Sequence, residues 1–259
     1  MGVLNVTPDS FSDGGKFRNI DSAIAHGVAM AQAGADIIDI GGESTRPDAA
    51  PVCADEELRR VLPVIRALSK HVVSIDTTKA LVAEAALVTG ARIVNDISAL
   101  RADPRMVKVV RDKGAGLVLM HMQGTPETMQ QHPHYDDVVL EVCEFLAERI
   151  VFAESHGLKK SQIAVDPGIG FGKTVKHNLQ LLAELDSLRT LGCPILVGTS
   201  RKAFIGKQLG RDPQERLWGT AATVAWAVTH GAGIVRIHDV AEMRDVVRMV
   251  EAIQAAKKK

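Results

Sequence analysis

Polar residues with chemical capability stand within, at or just beyond the end of each of eight short apolar runs in the 259-residue chain: Asn5, Asp39 within the second run, Asp76, Asn95, His121, Asp166, the trio Ser200-Arg201-Lys202, and Arg236 with His238. Asp76, Asn95 and Asp166 can accept hydrogen bonds from amino and ring N–H groups, and Asn95 can also donate. Two ionised carboxylates brought together repel each other unless a ligand donates to both, a requirement that an amino-heterocycle meets. Arg46, Lys202, Arg236 and His238 are the complementary set, able to hold a phosphate or carboxylate at about 1.5–3 kcal/mol per charge-assisted bond. One half of this set suits a polar heterocycle and the other an anion. The competing reading is that the two halves pair with each other as structural ion pairs.

The histidines form neither an HExxH nor an HxH pattern. A metal at this site is therefore expected to be Mg²⁺, held mainly by substrate phosphate oxygens and water, with Asn5 as a protein ligand. His26, His71, His156, His177 and His230 fall in helical or loop segments and read as structural or exposed. Gly-containing stretches at 7–15 and 41–47 follow the first two runs and read as lids over the site. Gly172-Lys173-Thr174 resembles the end of a phosphate-binding loop, but that pattern needs glycine at 167, where proline stands. The sequon Asn5-Val6-Thr7 is followed by Pro8 and reads as incidental.

These residues need a scaffold that delivers eight strand ends to one place. The apolar runs lie at 2–6, 37–40, 72–75, 93–94, 116–120, 163–165, 195–197 and 234–237, about 33 residues apart on average, the length of one βαβ unit. Between them run amphipathic stripes such as Val61, Ile65 and Leu68, or Met243, Val250 and Ile253. Gly34 and Gly157 stand where helix C-cap glycines belong, and Pro63 is expected to bend the helix that contains it. The segment 220–230 is apolar or small nearly all round, so it is expected to be buried twice, against the barrel and against another element or a second subunit. A doubly wound open sheet also alternates strands and helices, but eight even units favour a single-domain α/β fold, the (β/α)₈ TIM barrel, whose active site lies at the strand C-termini.

Composition narrows the partners. With 46% hydrophobic residues the chain can bury a sizeable core, which excludes disorder. Lys plus Arg and Asp plus Glu each number 31, so there is no net charge, and aromatics are only 3%; this argues against nucleic acid as a partner. The longest uncharged C-terminal stretch, 219–235, is too short and glycine-rich to span a bilayer, so no membrane partner is expected. Three widely spaced cysteines, Cys53, Cys143 and Cys193, and an N-terminus without signal-peptide character suit a reducing cytoplasm.

Segments along the whole chain resemble the dihydropteroate synthase family: MGVLNVTPDSFSDGG (1–15), DIIDIGGESTRP (36–47), SIDTTKA (74–80), IVNDISAL (93–100), LMHMQGTPETMQ (119–130), VDPGIGFGKT (165–174), VGTSRKAFIG (197–206) and GIVRIHDV (233–240). The resemblance implies a homodimeric barrel that joins (7,8-dihydropterin-6-yl)methyl diphosphate to 4-aminobenzoate and releases diphosphate, with sulfonamides as expected inhibitors. It assigns Asp76, Asn95, Ile97, Met120, Asp166, Gly198 and Lys202 to the pterin. Asn5, Arg46, Arg236 and His238 go to the diphosphate, with Asn5 also on Mg²⁺. Thr45, Arg46, Pro47, Phe171, Ser200 and Lys202 go to 4-aminobenzoate, and Asp166, Lys202, Arg236 and His238 are the expected catalytic groups. A neutral arylamine needs no strong base, in keeping with the lack of an obvious nucleophile or His-carboxylate pair. Asp48, where the family usually has glycine, and Cys53, where serine is common, are departures in or just beyond the second loop. SIDTTKA and IVNDISAL alone would also fit a pterin-dependent methyltransferase that serves a corrinoid protein, or a non-enzymatic pterin-binding module. Neither alternative needs the SRK and RIHDV groups or the STRP loop.

Overall fold

A computed structural model describes residues 1–7, 16–44 and 51–256. Among them run eight strands, β1 (Gly2–Asn5), β2 (Ile37–Gly41), β3 (Val72–Asp76), β4 (Ile93–Asp96), β5 (Gly116–Met120), β6 (Ile163–Asp166), β7 (Ile195–Val197) and β8 (Ala232–Val235). All neighbours are parallel and follow chain order. The first and last strands meet through a bridge from Gly2 to Ile237. Val3 N donates to Ile237 O at 2.9 Å, and the Met1 ammonium donates to Val235 O at 2.9 Å. The sheet thereby closes into the expected (β/α)₈ barrel. Its helices are α1 (Lys16–Gln32), α2 (Ala54–Leu68), α3 (Ala80–Thr89), α4 (Met106–Lys113), α5 (Val138–Ser155), α6 (Val175–Ala183), α7 (Ala203–Leu209), α8 (Leu217–Thr229) and α9 (Val240–Ala255). No described helix is long and apolar enough to cross a membrane.

Parallel strands are covered on both faces, so they read as continuous apolar runs until the barrel mouth. Outward residues such as Ile38, Ile40, Val73, Ile75, Val94 and Leu119 join the core shared with the helices. Inward, Val118, Ala164 and Leu196 form an apolar floor with Met1, Ile37, Ile93 and Ile234. Side chains on a strand return to the same face every second residue. Two positions beyond Ile37, Ile93, Val118, Ala164, Leu196 and Ile234 come Asp39, Asn95, Met120, Asp166, Gly198 and Arg236. The change from floor to site is thus written into strand periodicity.

The last run is displaced from its sequence-based bounds. β8 covers 232–235 rather than 234–237, because Ala232 pairs with Ile195 and the register shifts between Ile195 and Leu196; sheet pairing overrides the turn-like character of Ala232-Gly233. Gly34 and Gly157 have positive φ, 98° and 92°, as helix-ending glycines require. Pro63 lies within α2, which continues to Leu68. On α9, Met243 and Val250 are buried whereas Ile253 is exposed, because the helix outruns the barrel wall. Of the double burial expected of 220–230, the described residues show the face turned to the barrel. Gly219, Thr220, Val224 and Ala227 of α8 face inward, while Trp218 and Trp226 are 81% and 47% exposed.

Candidate active site

At the mouth the two expected halves interlock instead of standing apart. Arg236 Nε donates to Asp39 Oδ2 at 2.6 Å and its Nη2 donates to Asp76 Oδ2 at 2.7 Å. The separation read from the sequence is therefore corrected at Asp76, which Arg236 was expected to oppose and instead donates to, with Asp39 as its second partner. Burial works against its charge, but Asp39 and Asp76 outweigh that and hold the guanidinium pKa above its usual value. Burial lifts the Asp76 carboxyl to about 7; Arg236 pulls it down, and Asp39 pushes it further up.

Asn95 is buried beside them and its Nδ2 donates to Asp39 Oδ2 at 3.1 Å. Asp39 is fully buried, and no partner is found for its Oδ1 among the described residues. Sequence reasoning placed Asp39 in the polar ring but gave it no site role. The signal that could have found it is its position, two residues beyond the floor residue Ile37, matching Asn95 beyond Ile93.

Asp166, at the end of β6, accepts from Gly168 N at 2.7 Å through Oδ1, and burial raises its pKa against the pull of Lys202. Lys202 donates to Ile169 O and lies 4.7 Å from the centre of the Phe171 ring. Burial brings its ammonium down to about 8, with Asp166 acting the other way. Gly198 makes room here: a Cβ on it would sit 3.6 Å from Arg236 Cβ and 3.7 Å from Lys202 Nζ. Ser200 and His238 meet side by side, Nδ1 to Oγ at 2.9 Å, and His238 N donates to Ser200 Oγ at 3.1 Å. Arg201 turns away to pair with Asp239, so the loops after β7 and β8 are joined twice.

Ile97 and Met120 are buried together with Met122 and Met129, and Phe171 packs against them. This apolar bed lies beside the carboxylates and suits the faces of a flat heterocycle. Met122 and Met129 were missed, because nothing in their spacing separates them from ordinary loop residues. A cleft of about 490 Å³ opens from Asp76 and Ile97 between the loops that follow β2 to β5. At the base of the second loop, Glu43 accepts from Val52 N at 2.8 Å and from Lys79 Nζ at 2.6 Å, and Lys79 also donates to buried Glu57 at 2.7 Å. Thr45, Arg46 and Pro47, like most of the first loop, lie outside the described residues.

Asn5 ends β1. Its Oδ1 and Asp76 Oδ2 both lie within 4 Å of where a Cβ on Gly41 would stand, at 3.7 and 3.9 Å. The described residues contain no group of three or more His, Cys, Asp or Glu able to hold a metal. A lone amide oxygen fits Mg²⁺, which keeps much of its coordination for water and phosphate oxygens.

A family model described as pterin binding enzyme matches residues 1–238. The dihydropteroate synthase of Synechocystis sp. is 48% identical over 257 residues, spanning 98% of this chain and 89% of that protein; the one of Escherichia coli K12 is 46% identical over 260 residues, spanning 99% and 92%. Among solved structures, Yersinia pestis dihydropteroate synthase in complex with a sulfonamide drug superposes with TM-score 0.93 at 45% identity, covering 98% of this chain and 94% of that one. The Xanthomonas albilineans enzyme with 4-aminobenzoic acid gives 0.93 at 48%, covering 99% and 93%. The chain is accordingly an enzyme, a transferase of folate synthesis. It belongs to the pterin-binding enzyme family and, within it, to the dihydropteroate synthases.

Proposed function

We propose that the barrel mouth joins (7,8-dihydropterin-6-yl)methyl diphosphate to 4-aminobenzoate. The observation that carries this reading is the polar layer of half-buried Asp76 with buried Asn95 and Asp166 beside the apolar bed of Ile97 and Met120, with Arg236 and Lys202 at its edge. The 4-aminobenzoic acid and 7,8-dihydropteroate bound in Xanthomonas albilineans relatives are in keeping with it. Carboxylates accept from the amino and ring N–H groups of the dihydropterin, and Asn95 serves an acceptor or donor between them.

Two of the five guanidinium donors of Arg236 are committed to Asp39 and Asp76, which leaves three for a diphosphate oxygen. His238, set by Ser200, is the second anion donor. As the methylene C–O bond breaks, its electron pair leaves with the diphosphate. The ring, held against Asp76 and Asp166, shares the positive charge left on the methylene. The arylamine nitrogen then donates its lone pair to that carbon and afterwards loses a proton. Phe171, Ser200 and Lys202, with Thr45, Arg46 and Pro47, are the groups assigned to the arylamine. Mg²⁺, when bound through Asn5 and the substrate's own oxygens, would neutralise charge on the diphosphate.

The acting form is proposed to be a cytoplasmic homodimer. Three free cysteines are compatible with that compartment, and the exposed tryptophans of α8 supply an apolar face for a second copy. Diphosphate release with and without 4-aminobenzoate tests the reaction. Release that depends on the amine is expected, release without it would identify a leaking first step, and none under either condition would overturn the reading.

A further inference from the structure

Lys173 is buried at 3% exposure, and no carboxylate lies within ion-pairing distance of it among the described residues. Its Nζ lies 2.9 Å from His121 Nδ1 and donates to Phe171 O at 2.9 Å, with the Tyr135 ring centre 5.9 Å away. Lysine nitrogen in its charged form only donates, so His121 Nδ1 is the acceptor. Burial, then the charges of Lys173 and Arg101, keep that imidazole neutral, with a pKa of about 2.

The segment 168–173 that this lysine crosses has three left-handed glycines, Gly168, Gly170 and Gly172, at φ 67°, 83° and 61°. The same short segment supplies the amide that Asp166 accepts from, the Ile169 carbonyl that Lys202 donates to, and the Phe171 ring beneath Lys202. A backbone so rich in glycine has little stiffness of its own. Its shape comes from cross-links, and Lys173 is the one that joins its interior to the end of β5. Burial lowers the lysine to about 7, Asp166 raising and Lys202 lowering it further; amine and ammonium alike can donate to the Phe171 carbonyl.

We propose that Lys173 is a positioning residue for the arylamine: braced on His121, it holds the Phe171 carbonyl and so sets the Phe171 ring beside Lys202, without touching either substrate. This rests on the assignment of Phe171 and Lys202 to 4-aminobenzoate. The test is Lys173→Met, which keeps the apolar stem and removes the donors, in the 259-residue chain. The KM for 4-aminobenzoate is expected to rise about tenfold, as for the loss of one loop-holding hydrogen bond, while the KM for the dihydropterin diphosphate stays within about twofold. Lys173→Arg, which keeps a donor, is expected to recover most of the difference. A loss of folded protein alone would lower the active fraction without moving either KM. If Lys173→Met does not fold, Lys173→Gln with its shorter donor is expected to give an intermediate KM for 4-aminobenzoate. An unchanged KM for 4-aminobenzoate in an active variant overturns the proposal. Absence of amine-dependent diphosphate release in the unsubstituted enzyme instead overturns the reaction on which it rests.

Discussion

Arg236 and Asp39, 197 residues apart in the chain, meet at 2.6 Å at the floor of the mouth. Asp39 is fully buried and also takes the Asn95 amide, so one carboxylate fixes a group on each side of it. Replacing it by asparagine keeps the shape and removes the charge, leaving the guanidinium with Asp76 as its partner. Removing one member of a buried ion pair typically costs about 3–5 kcal/mol; with Asp76 remaining, Asp39→Asn is expected to lose about 2–3 kcal/mol by the same reasoning. Urea unfolding measures this, and a midpoint equal to that of the unsubstituted protein would show that the pair contributes nothing to the fold.

The acid side of the pH profile follows from the Asp76 carboxyl, which burial raises to about 7. Its ionised form accepts from the pterin, so kcat/KM for the dihydropterin diphosphate should fall as pH drops below 7. Lys202, lowered to about 8, loses its charge above that pH, and kcat/KM should fall again on the alkaline side. A bell with limbs near 7 and 8 is expected. In Asp76→Asn the limb near 7 should vanish; a limb that persists there would show that Asp76 is not the group that sets it.

Asp166 touches both the loop amide of Gly168 and the field of Lys202. Losing such a preorganised electrostatic contact costs about 10²–10³ in kcat. Asp166→Asn and Arg236→Ala should each fall in that range by a diphosphate-release assay, and turnover equal to that of the unsubstituted enzyme in either would remove that residue from the mechanism.

Much of the barrel was legible because its strands are buried on both faces, so apolar runs such as 116–120 and 195–197 coincide with β5 and β7. The polar ring was legible for the same reason: Asn95 or Asp166 stands out after such a run. What stayed hidden is pairing across the barrel. Nothing in the spacing of Asp39, Asp76 and Arg236 tells whether charges confront a ligand or each other, since that depends on how closure brings β8 beside β1. Lys173 was hidden differently: in sequence it looks like a fragment of a phosphate loop, and only the fold turns it inward onto His121.

Two glycines of the site make opposite predictions. A Cβ on Gly168 would stand 1.8 Å from the His121 carbonyl oxygen, at a φ of 67°, where backbone must move on both counts. Strain of this kind costs about 1–3 kcal/mol before any clash is added. Gly168→Ala should therefore destabilise by more than about 3 kcal/mol and release the amide from Asp166. A Cβ on Gly198 meets ordinary contact distances of 3.6 and 3.7 Å, so Gly198→Ala should fold normally and act only on the space between Lys202 and Arg236. Thermal unfolding separates the two; equal midpoints would contradict the packing around Gly168.

The outer face of α8 and α9 carries a prediction about assembly. Trp218 is 81% exposed, Met249 63% and Ile253 61%, and burying one such side chain is worth about 1.5–3 kcal/mol. Trp226 is partly spoken for, donating to Leu182 O at 2.7 Å and stacking on His230 at 4.1 Å, which holds it rigid at the surface. An aromatic held in place at the surface is one that a second copy can cover at little entropic cost. Sedimentation should give twice the chain mass of 27.8 kDa, and Trp218→Glu with Met249→Glu should shift it to the single chain. A single-chain species for the unsubstituted protein at all concentrations would leave this face without the partner proposed for it.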